Sequence, residues 1–252
     1  MKTVDIKEAH KKIVDYIKFW FADKGDAPAV IGISGGKDST VCAALLTEAL
    51  GKDRVIGVMI PNGIQKDIDD SEKVIEHLGI KRTLINIEDA YEALRQQFLS
   101  DGHNPDDKSL YTTNTPARLR MTTLYGIAAI YGGFVCNTCN LSEDFVGYST
   151  KWGDCTGDFG LLCGLTKSEV VALGDELGLP KELVHKTPSD GMCGKSDEDN
   201  LGFTYEQLDR FIRRESDVEI SDIPTNIIQK IVKMHENPNT KKKLVVDDYP
   251  RF

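Results

Sequence analysis

Short apolar runs alternate along the chain with longer segments in which apolar residues recur at helical spacing. Over residues 7–21, Ile13, Ile17 and Trp20 share one stripe, which predicts an amphipathic first helix. The run Ala29-Val30-Ile31-Gly32-Ile33 has instead the unbroken apolar character of a buried strand. The two patterns continue in alternation and predict a strand that ends at residue 34, a helix at 39–50, a strand at 54–60, a helix at 68–78 and a strand at 82–87.

This alternation predicts the fold. Strands separated by helices form βαβ crossovers, which give a parallel sheet covered by helices on both faces. We therefore expect an α/β protein with a Rossmann-like parallel sheet, folded as one domain over residues 1–252. Ligands of such sheets gather at the carboxyl ends of the strands, where Ser34, Pro61-Asn62 and Asn86 are expected. Segments 100–114 and 186–200 are rich in turn residues, and we expect them to be the least ordered.

The junction between the first predicted strand and the next helix reads Ser34-Gly35-Gly36-Lys37-Asp38. Two glycines let the backbone close on an anion, and the helix N-terminus behind them offers unpaired N–H groups, so the turn suits a phosphate group. An ordinary tight turn would explain the glycines but not the polar side chains. Ser34, Asp38, Ser39 and Thr40 place hydroxyls around one carboxylate, a set that suits Mg²⁺ held against phosphate oxygens.

The loop fits neither of two common phosphate-binding sequences. A Walker A loop requires Gly in place of Ile31 and Ser or Thr in place of Asp38, and a dinucleotide fingerprint requires Gly in place of Ser34. The loop resembles that of the N-type ATP pyrophosphatases, Ser-Gly-Gly-x-Asp-Ser, which cleave ATP between the α and β phosphates. The resemblance implies the adenine nucleotide alpha hydrolase-like fold, with ATP as co-substrate. It also implies ATP contacts from Gly32, Ile33, Ser34, Gly35, Gly36, Lys37, Asp38 and Ser39.

Composition indicates an enzyme of the cytoplasm. The 252 residues are 40% hydrophobic and 28% charged, which is enough for one α/β core. No apolar run approaches the length of a membrane span, and the first residues lack the apolar region of a signal peptide. The net charge of -9 argues against a surface that binds a polyanion such as tRNA. We therefore expect neither a membrane nor a nucleic acid among the partners.

The cysteines allow two interpretations. In a reducing compartment we expect free thiols. Cys136-Asn137-Thr138-Cys139 is nevertheless a C-x-x-C, and with Cys155 and Cys163 it could hold zinc or an iron–sulfur cluster, as in sulfur-transferring tRNA enzymes. Cys155 and Cys163 do not form the second close pair of a zinc ribbon, which argues against this. The six cysteines are Cys42, Cys136, Cys139, Cys155, Cys163 and Cys193.

From residue 114 onward the sequence resembles one branch of these pyrophosphatases, the NAD synthetases. Residues 114–121, Asn-Thr-Pro-Ala-Arg-Leu-Arg-Met, are expected to open a helix with Thr115 as N-cap and Pro116 in the first turn. They resemble a helix whose first Arg contacts deamido-NAD, which implies that role for Arg118. From the residues alone, Arg118 and Arg120 are expected to be solvated surface charges. Residues 137–143 resemble Gly-Thr-Asp-x-x-x-Glu, which implies that Thr138 contacts ATP and Glu143 holds Mg²⁺ with Asp38.

The resemblance continues to residue 205. Residues 148–154 and Asp158 resemble Phe-x-Thr-Lys-Tyr-Gly-Asp and its following Asp, which implies deamido-NAD contacts for Lys151 and Asp158. Asp158 is also a candidate proton acceptor from ammonium. Leu-Thr-Lys at 165–167 resembles the family segment in which a helix begins next to ATP. This implies that Lys167 is a catalytic residue that contacts a phosphate group. Pro-Ser at 188–189 implies an ATP contact for Ser189. Lys241 is the candidate for the family's C-terminal contact to deamido-NAD, with an ordinary basic tail as the equal alternative.

Three positions depart from the family pattern. Asn137 replaces Gly, and Cys139 and Asn140 replace Asp and His, so the roles of those side chains do not carry over. Taken singly, Asp158 could cap a turn, and the acidic run at 197–199 could be a solvated face. The chain has no room for the amidase domain of the glutamine-using synthetases, so we expect ammonia, free or from a separate amidase, as the nitrogen donor. The resemblance also implies a homodimer.

The implied chemistry is amidation of deamido-NAD with ammonia to NAD through an acyl adenylate, with release of pyrophosphate and AMP. Mg²⁺ on Asp38 and Glu143, together with Lys167 and the backbone N–H groups of Gly35 and Gly36, would neutralise the charge that develops at phosphorus. Two alternatives stay open at this point. One is a tRNA-modifying ATP pyrophosphatase, a thiolase or lysidine-type ligase, which the C-x-x-C favours. The other is a nucleotide sensor without catalysis.

Overall fold

The structure is a computed structural model that describes residues 2–65, 68–106, 109–185, 196–237, 246 and 248–252. Five parallel strands form one sheet in this part of the chain. The strands are β1 (Ala29–Gly32), β2 (Val55–Met59), β3 (Lys81–Leu84), β4 (Phe134–Asn137) and β5 (Phe159–Gly160). Their order is β3-β2-β1-β4-β5, and each neighbouring pair is parallel. The chain therefore reverses its direction of winding at β1, between β2 and β4, where an open α/β sheet presents its ligand-binding crevice.

Eleven α-helices connect and flank these strands in the described residues. They are α1 (Ile6–Trp20), α2 (Lys37–Leu50), α3 (Ile68–Leu78), α4 (Glu88–Ser100), α5 (Ser109–Tyr131), α6 (Leu141–Val146), α7 (Lys167–Glu176), α8 (Lys181–Val184), α9 (Asp197–Leu201), α10 (Tyr205–Arg213) and α11 (Thr225–Glu236).

Helices cover both faces of the sheet. Buried side chains of α1, α2, α3, α7 and α8 form one core against the first face, while α5 packs Ile127 and Ala128 against Val30 and Val135 on the other. A separate apolar cluster joins α6, α9, α10 and α11 around Leu208. The α/β prediction with helices on both faces is confirmed. Nearly every residue of β1 and β2 is buried, on both faces of the sheet, which explains their unbroken apolar runs, whereas the edge strand β3 is largely exposed.

The predicted element bounds are mostly close to the observed ones. Helix α3 has the predicted bounds, and α1 differs from its prediction by one residue at each end. The third strand ends at Leu84, earlier than residue 87, because the backbone then turns into α4, where Asn86 Oδ1 accepts from Glu88 N at 3.0 Å. Thr166 is the N-cap of α7 and forms a capping box with Glu169, as its sequence position suggested.

One predicted helix start is wrong. The helix does not begin at Thr115 with Pro116 in its first turn, but at Ser109, so that Pro116 lies inside it. A proline at that place removes one helical hydrogen bond and costs about 3 kcal/mol. Packing favours the longer helix: the Tyr111 ring lies 5.6 Å from that of Tyr91 and 5.7 Å from that of Phe98, both on α4. Of the two segments expected to be least ordered, residues 109–114 are helical, and residues 186–195 lie outside the described part of the chain.

No helix in the described residues is long and apolar enough to cross a membrane. The last described segment contacts the first helix instead. Asp248 accepts hydrogen bonds from Trp20 Nε1 at 2.7 Å and from Tyr16 Oη at 2.9 Å, and its carbonyl oxygen accepts from Gly160 N at 2.9 Å. These contacts fasten residues 248–252 to α1 and to the edge strand β5.

Candidate functional site

A cavity of about 730 Å³ opens at the carboxyl ends of the central strands. It lies at the crevice between β2 and β4 that the strand order creates, beside the N-termini of α2, α6 and α7. The predicted site residues that line it are Gly32, Ile33, Ser34, Gly36, Lys37, Asp38, Ser39, Thr138, Glu143 and Lys167. Residues far apart in the sequence thus face one cavity, since parallel strands end at one edge of the sheet.

The phosphate loop owes its shape to Gly35. This residue has φ +75°, a left-handed conformation, and a Cβ atom there would lie 2.9 Å from the Cβ of Asp70 on α3. Gly35 does not line the cavity; it lets the loop pass α3. Gly36, the N-cap of α2, has no side-chain cap, and its carbonyl oxygen accepts from Ser39 Oγ at 3.0 Å and from Thr40 Oγ1 at 2.8 Å. The hydroxyls therefore brace the loop from inside, and the start of α2 faces the cavity.

Lys167 connects the two predicted metal carboxylates. Its Nζ donates to Asp38 Oδ2 and to Glu143 Oε1, each at 2.8 Å. The Lys167 side chain is only 6% exposed, and the carboxylates of Asp38 and Glu143 are 19% and 17% exposed. The ammonium also lies 5.0 Å from the ring centroid of Tyr205. One cation thus holds two acids that come from different helices.

Burial shifts the protonation equilibria of this cluster. Burial raises the pKa of the Glu143 carboxyl, and the Lys167 ammonium opposes that rise. Burial alone would lower the pKa of Lys167, but Asp38 and Glu143 keep it well above its usual value. Burial also lowers the pKa of Lys37, and the positive charge of Lys167 adds to that effect. Lys167 therefore remains a cation in the ligand-free protein.

A buried network fixes the start of α7. Ser142 Oγ accepts from Lys167 N at 2.9 Å and donates to Asp209 Oδ1 at 2.5 Å. Asp209 Oδ2 accepts from Ser168 N at 2.8 Å. The Asp209 carboxylate on α10 thus accepts directly from one N–H group at the N-terminus of α7 and, through Ser142, supports the hydrogen bond of a second. No pattern in the sequence pointed to Asp209, because it lies on the buried side of α10, among residues without a recognisable motif.

Two of the residues that depart from the family pattern have defined contacts. Asn137 donates from Nδ2 to the carbonyl oxygens of Asp154 at 3.1 Å and Thr156 at 3.3 Å, and it holds that loop against β4. Asn140 caps α6 through the backbone N–H of Glu143 and donates to the Asp38 carboxylate. An Asn followed three residues later by a Glu is a capping-box pattern, so the sequence did contain a signal for Asn140.

The predicted deamido-NAD contacts lie apart from the cavity lining. Arg118 is exposed and donates from Nε to the carbonyl oxygen of Lys151 at 3.2 Å. Asp158 is exposed, and its carboxylate accepts from Val135 N at 2.7 Å and from Tyr125 Oη at 3.3 Å. The contacts of Arg118 and Asp158 thus join α5 to the loop before β5. Ser189 and Lys241 lie outside the described residues.

Arg120, rather than Arg118, is the arginine that lines the cavity. Its Nε donates to the Ile60 carbonyl oxygen at 3.0 Å, and burial lowers its pKa while Asp154 opposes that shift. The expectation that Arg120 is a solvated surface charge is wrong, because α5 turns this side chain over the end of β2. The acidic run at 197–199 is likewise not wholly solvated, since Asp197 is buried and faces the cavity.

The described cysteines are free and buried. Burial raises the pKa of Cys42, Cys139, Cys155 and Cys163, so these side chains are thiols rather than the thiolates that bind metals. Cys139 donates to the Asp154 carbonyl oxygen at 3.4 Å. Among the described residues, no group of three or more His, Cys, Asp or Glu side chains is arranged to hold a metal ion.

Fold and site together define the class of protein. A parallel α/β sheet, a Ser-Gly-Gly-x-Asp-Ser loop at its crevice and two carboxylates facing that loop belong to the ATP pyrophosphatases of the adenine nucleotide alpha hydrolase-like fold. The sequence profile described as NAD synthase matches residues 9–245. The chain belongs to the NAD synthase family.

Three relatives illustrate the similarity. The NH(3)-dependent NAD(+) synthetase of Pyrococcus furiosus is 34% identical over 255 residues, which cover 98% of this chain and 96% of the relative. The structure of NMN synthetase from Francisella tularensis has a TM-score of 0.84 and 31% identity, and covers 99% of this chain and 100% of that one. The NH3-dependent NAD synthetase from Campylobacter jejuni, in complex with the nitrate ion, has a TM-score of 0.77 and 25% identity over 96% of this chain and 98% of that one.

Proposed function

We propose that this chain converts deamido-NAD, ATP and ammonia into NAD, AMP and pyrophosphate. The observation that carries the proposal is the convergence of Asp38, Glu143 and Lys167 on one cavity behind the phosphate loop. Because the chain belongs to the NAD synthase family, the group that ATP activates in this proposal is a nicotinate carboxylate. The tRNA-modifying alternative has no support in these relatives.

The chemistry requires two successive displacements. The nicotinate carboxylate is a poor electrophile, so it first attacks the α-phosphorus of ATP, which forms an acyl adenylate and releases pyrophosphate. Ammonia then attacks the acyl carbon, and AMP leaves. The helix N-terminus behind Gly36 and the Lys167 ammonium supply positive charge on the side where the phosphates would lie. No covalent bond to the enzyme is required.

The donor set fits Mg²⁺. Asp38 and Glu143 offer hard carboxylate oxygens, and Mg²⁺ is usually bound by one or two carboxylates together with substrate phosphates and waters. When bound, it would neutralise the phosphate charge that develops during the attack. Lys167 already contacts both acids, so it would hold its ammonium next to the same phosphate groups.

The deamido-NAD contacts and the assembly are part of the proposal. Arg118, Lys151 and Asp158 would bind the acceptor outside the ATP pocket, with Lys241 as a further contact, while Ser189 would contact ATP. An acceptor site on an exposed face suits a homodimer in which a second copy closes it. Large apolar side chains are exposed on α4 and α5 and support this assembly: Leu94, Phe98, Leu110, Ile130 and Tyr131.

The Francisella tularensis relative favours a second candidate, amidation of a mononucleotide acceptor. That protein is an NMN synthetase, and its TM-score of 0.84 exceeds the 0.77 of the Campylobacter jejuni enzyme. The same adenylation would then act on nicotinate mononucleotide. The two acceptors share the reacting carboxylate and differ in the adenylate half, so kinetics can separate them.

One assay tests both candidates. The purified chain is incubated with ATP, Mg²⁺, ammonium and either deamido-NAD or nicotinate mononucleotide, and the amide, AMP and pyrophosphate are quantified. We expect equal amounts of the three products and a higher kcat/KM with deamido-NAD; a higher value with the mononucleotide selects the second candidate. Glutamine in place of ammonium is expected to give no product. Absence of all three products with both acceptors refutes the proposed function.

A matched pair of variants tests the acceptor site. Arg118→Ala is expected to raise the KM for deamido-NAD more than about tenfold and to leave the KM for ATP near that of the wild type, since loss of a charged contact costs about 2 kcal/mol or more. Arg95→Ala is the control, because Arg95 pairs with Asp106 away from the cavity. Calorimetric titration checks that KM follows binding. An unchanged KM in Arg118→Ala removes this residue from the site.

A cytoplasmic location completes the proposal. Within the described residues, five cysteines are buried and free, which is typical of a protein that works in a reducing compartment.

A further inference from the structure

Asn140 contacts both predicted metal carboxylates, at the oxygens that Lys167 does not contact. It is fully buried and stands between β4 and α6. Its Nδ2 donates to Asp38 Oδ1 at 3.1 Å, its Oδ1 accepts from Glu143 N at 3.1 Å, and its backbone N donates to Glu143 Oε2 at 3.4 Å. One residue therefore connects α2 with α6 at the point where each helix presents its acid.

The four carboxylate oxygens are shared between two residues. Lys167 donates to Oδ2 of Asp38 and to Oε1 of Glu143, and Asn140 donates to Oδ1 of Asp38 and to Oε2 of Glu143. The orientation of the Asn140 amide is fixed, since the reverse would set its oxygen against the Asp38 carboxylate and its NH₂ against the Glu143 N–H. The amide supplies a donor and an acceptor at once without adding charge.

The two bridges differ in what a bound cation does to them. A metal ion that binds Asp38 and Glu143 competes with the Lys167 ammonium, because like charges repel and both require the same oxygens. The neutral amide of Asn140 has no such conflict. Among the described contacts, those of Asn140 can therefore keep Asp38 and Glu143 at one spacing both with and without a bound cation.

We propose that Asn140 is a positioning residue that sets the spacing of Asp38 and Glu143 for cation binding. This inference rests on the proposed function only for the identity of the cation, Mg²⁺ bound together with ATP. A carboxylate pair held at fixed spacing does not have to be ordered when the metal ion binds, so its affinity is higher. The role is separate from helix capping, which requires only the acceptor oxygen.

Three substitutions separate positioning from capping. Asn140→Ser keeps an N-cap acceptor and loses the donor to Asp38, whereas Asn140→Ala loses both. Asn140→His supplies a ring N–H donor in place of the lost amide donor. Asp5→Ala is the control for capping alone, because Asp5 caps α1 far from the cavity. Circular dichroism establishes that each variant is folded.

The measurement is the affinity for Mn²⁺, a paramagnetic substitute for Mg²⁺, in the presence of α,β-methylene ATP. Electron paramagnetic resonance reports free Mn²⁺ and requires no acceptor, so the result stands even if the amidation assay fails. Because a hydrogen bond to a charged group is stronger than one between neutral groups, we expect Kd to rise about tenfold or more in Asn140→Ser and Asn140→Ala. Asn140→His should bind more tightly than Asn140→Ser, and Asp5→Ala should match the wild type.

Kinetics provide the second measurement. In the Ser variant we expect the Mg²⁺ concentration at half-maximal rate to rise by a similar factor, with the KM for deamido-NAD unchanged. Wild-type Mn²⁺ affinity in Asn140→Ser, with loss only in Asn140→Ala, would make Asn140 a helix cap and overturn the proposal. Equal Kd values for the His and Ser variants, both as weak as Ala, would also overturn it, because a restored donor should restore part of the affinity.

Discussion

Replacing Lys167 by methionine is expected to destabilise the ligand-free protein and to make its stability depend on Mg²⁺. The substitution keeps the length of the side chain and removes its charge. Each 2.8 Å contact to Asp38 or Glu143 corresponds to about 6 kcal/mol of attraction at an effective dielectric constant near 20. Desolvation offsets much of this, and removal of one partner from a buried pair typically costs about 3 to 5 kcal/mol. Because the acids are 19% and 17% exposed, we expect about 3 kcal/mol.

The assay is urea denaturation followed by circular dichroism, with EDTA or with excess Mg²⁺. In EDTA the free energy of unfolding of Lys167→Met should fall by about 3 kcal/mol. A cation present at about a hundred times its Kd contributes about 2.7 kcal/mol, so Mg²⁺ should recover most of the loss. The wild type should respond less, because there Mg²⁺ competes with the lysine. We also expect the variant to lose activity at every Mg²⁺ concentration, since phosphate contact is a separate role.

Lys37→Met is the matched control. Lys37 faces the same cavity and precedes Asp38, but it forms no ion pair within the described residues, so its removal should change the free energy of unfolding by no more than about 0.5 kcal/mol. A Lys167→Met protein as stable as the wild type in EDTA would refute the reasoning. An equal loss in the two variants would show that general burial of lysine, not the pair of acids, is responsible.

Further expectations concern the acids, the end of the chain and the thiols. Asp38→Asn or Glu143→Gln should lower kcat about a hundredfold or more, and near-normal kcat in both at saturating Mg²⁺ would remove the metal assignment. Asp248→Ala removes the acceptor of Trp20 Nε1 and should lower the free energy of unfolding by about 1 to 2 kcal/mol in urea, with kcat unchanged; a lowered kcat would contradict a purely structural role. Elemental analysis of reduced protein should find no stoichiometric zinc or iron, and one metal per chain that is lost in Cys136→Ser would revive the thiolase hypothesis.

The sequence was most informative where local rules decide the structure. Unbroken apolar runs predicted β1 and β2, and the glycines of the loop predicted a tight turn from β1 into α2, because a short strand and a tight turn follow from adjacent residues. The resemblance to NAD synthetases then predicted that Glu143 and Lys167 lie near that loop, although no local pattern in the sequence could show that residues 38, 143 and 167 meet.

Predictions failed where contacts between distant elements decided the outcome. Pro116 is typical of a first turn, yet packing of Tyr111 against α4 extends the helix upstream. Arg120 has the sequence character of a surface charge, but its helix turns it into the cavity. Asp209 binds the start of α7 from another helix, and such a contact leaves no mark in the spacing of neighbouring residues.

The double contact of Lys167 has a consequence for the protein between rounds of catalysis. Two acids that face each other in a partly buried cavity would repel if nothing stood between them, and the enzyme would then depend on nucleotide and metal for its own integrity. Lys167 instead acts as an internal counter-ion for Asp38 and Glu143. In the proposed function, each catalytic round would therefore begin from a site whose two acids are already neutralised by a residue of the chain itself.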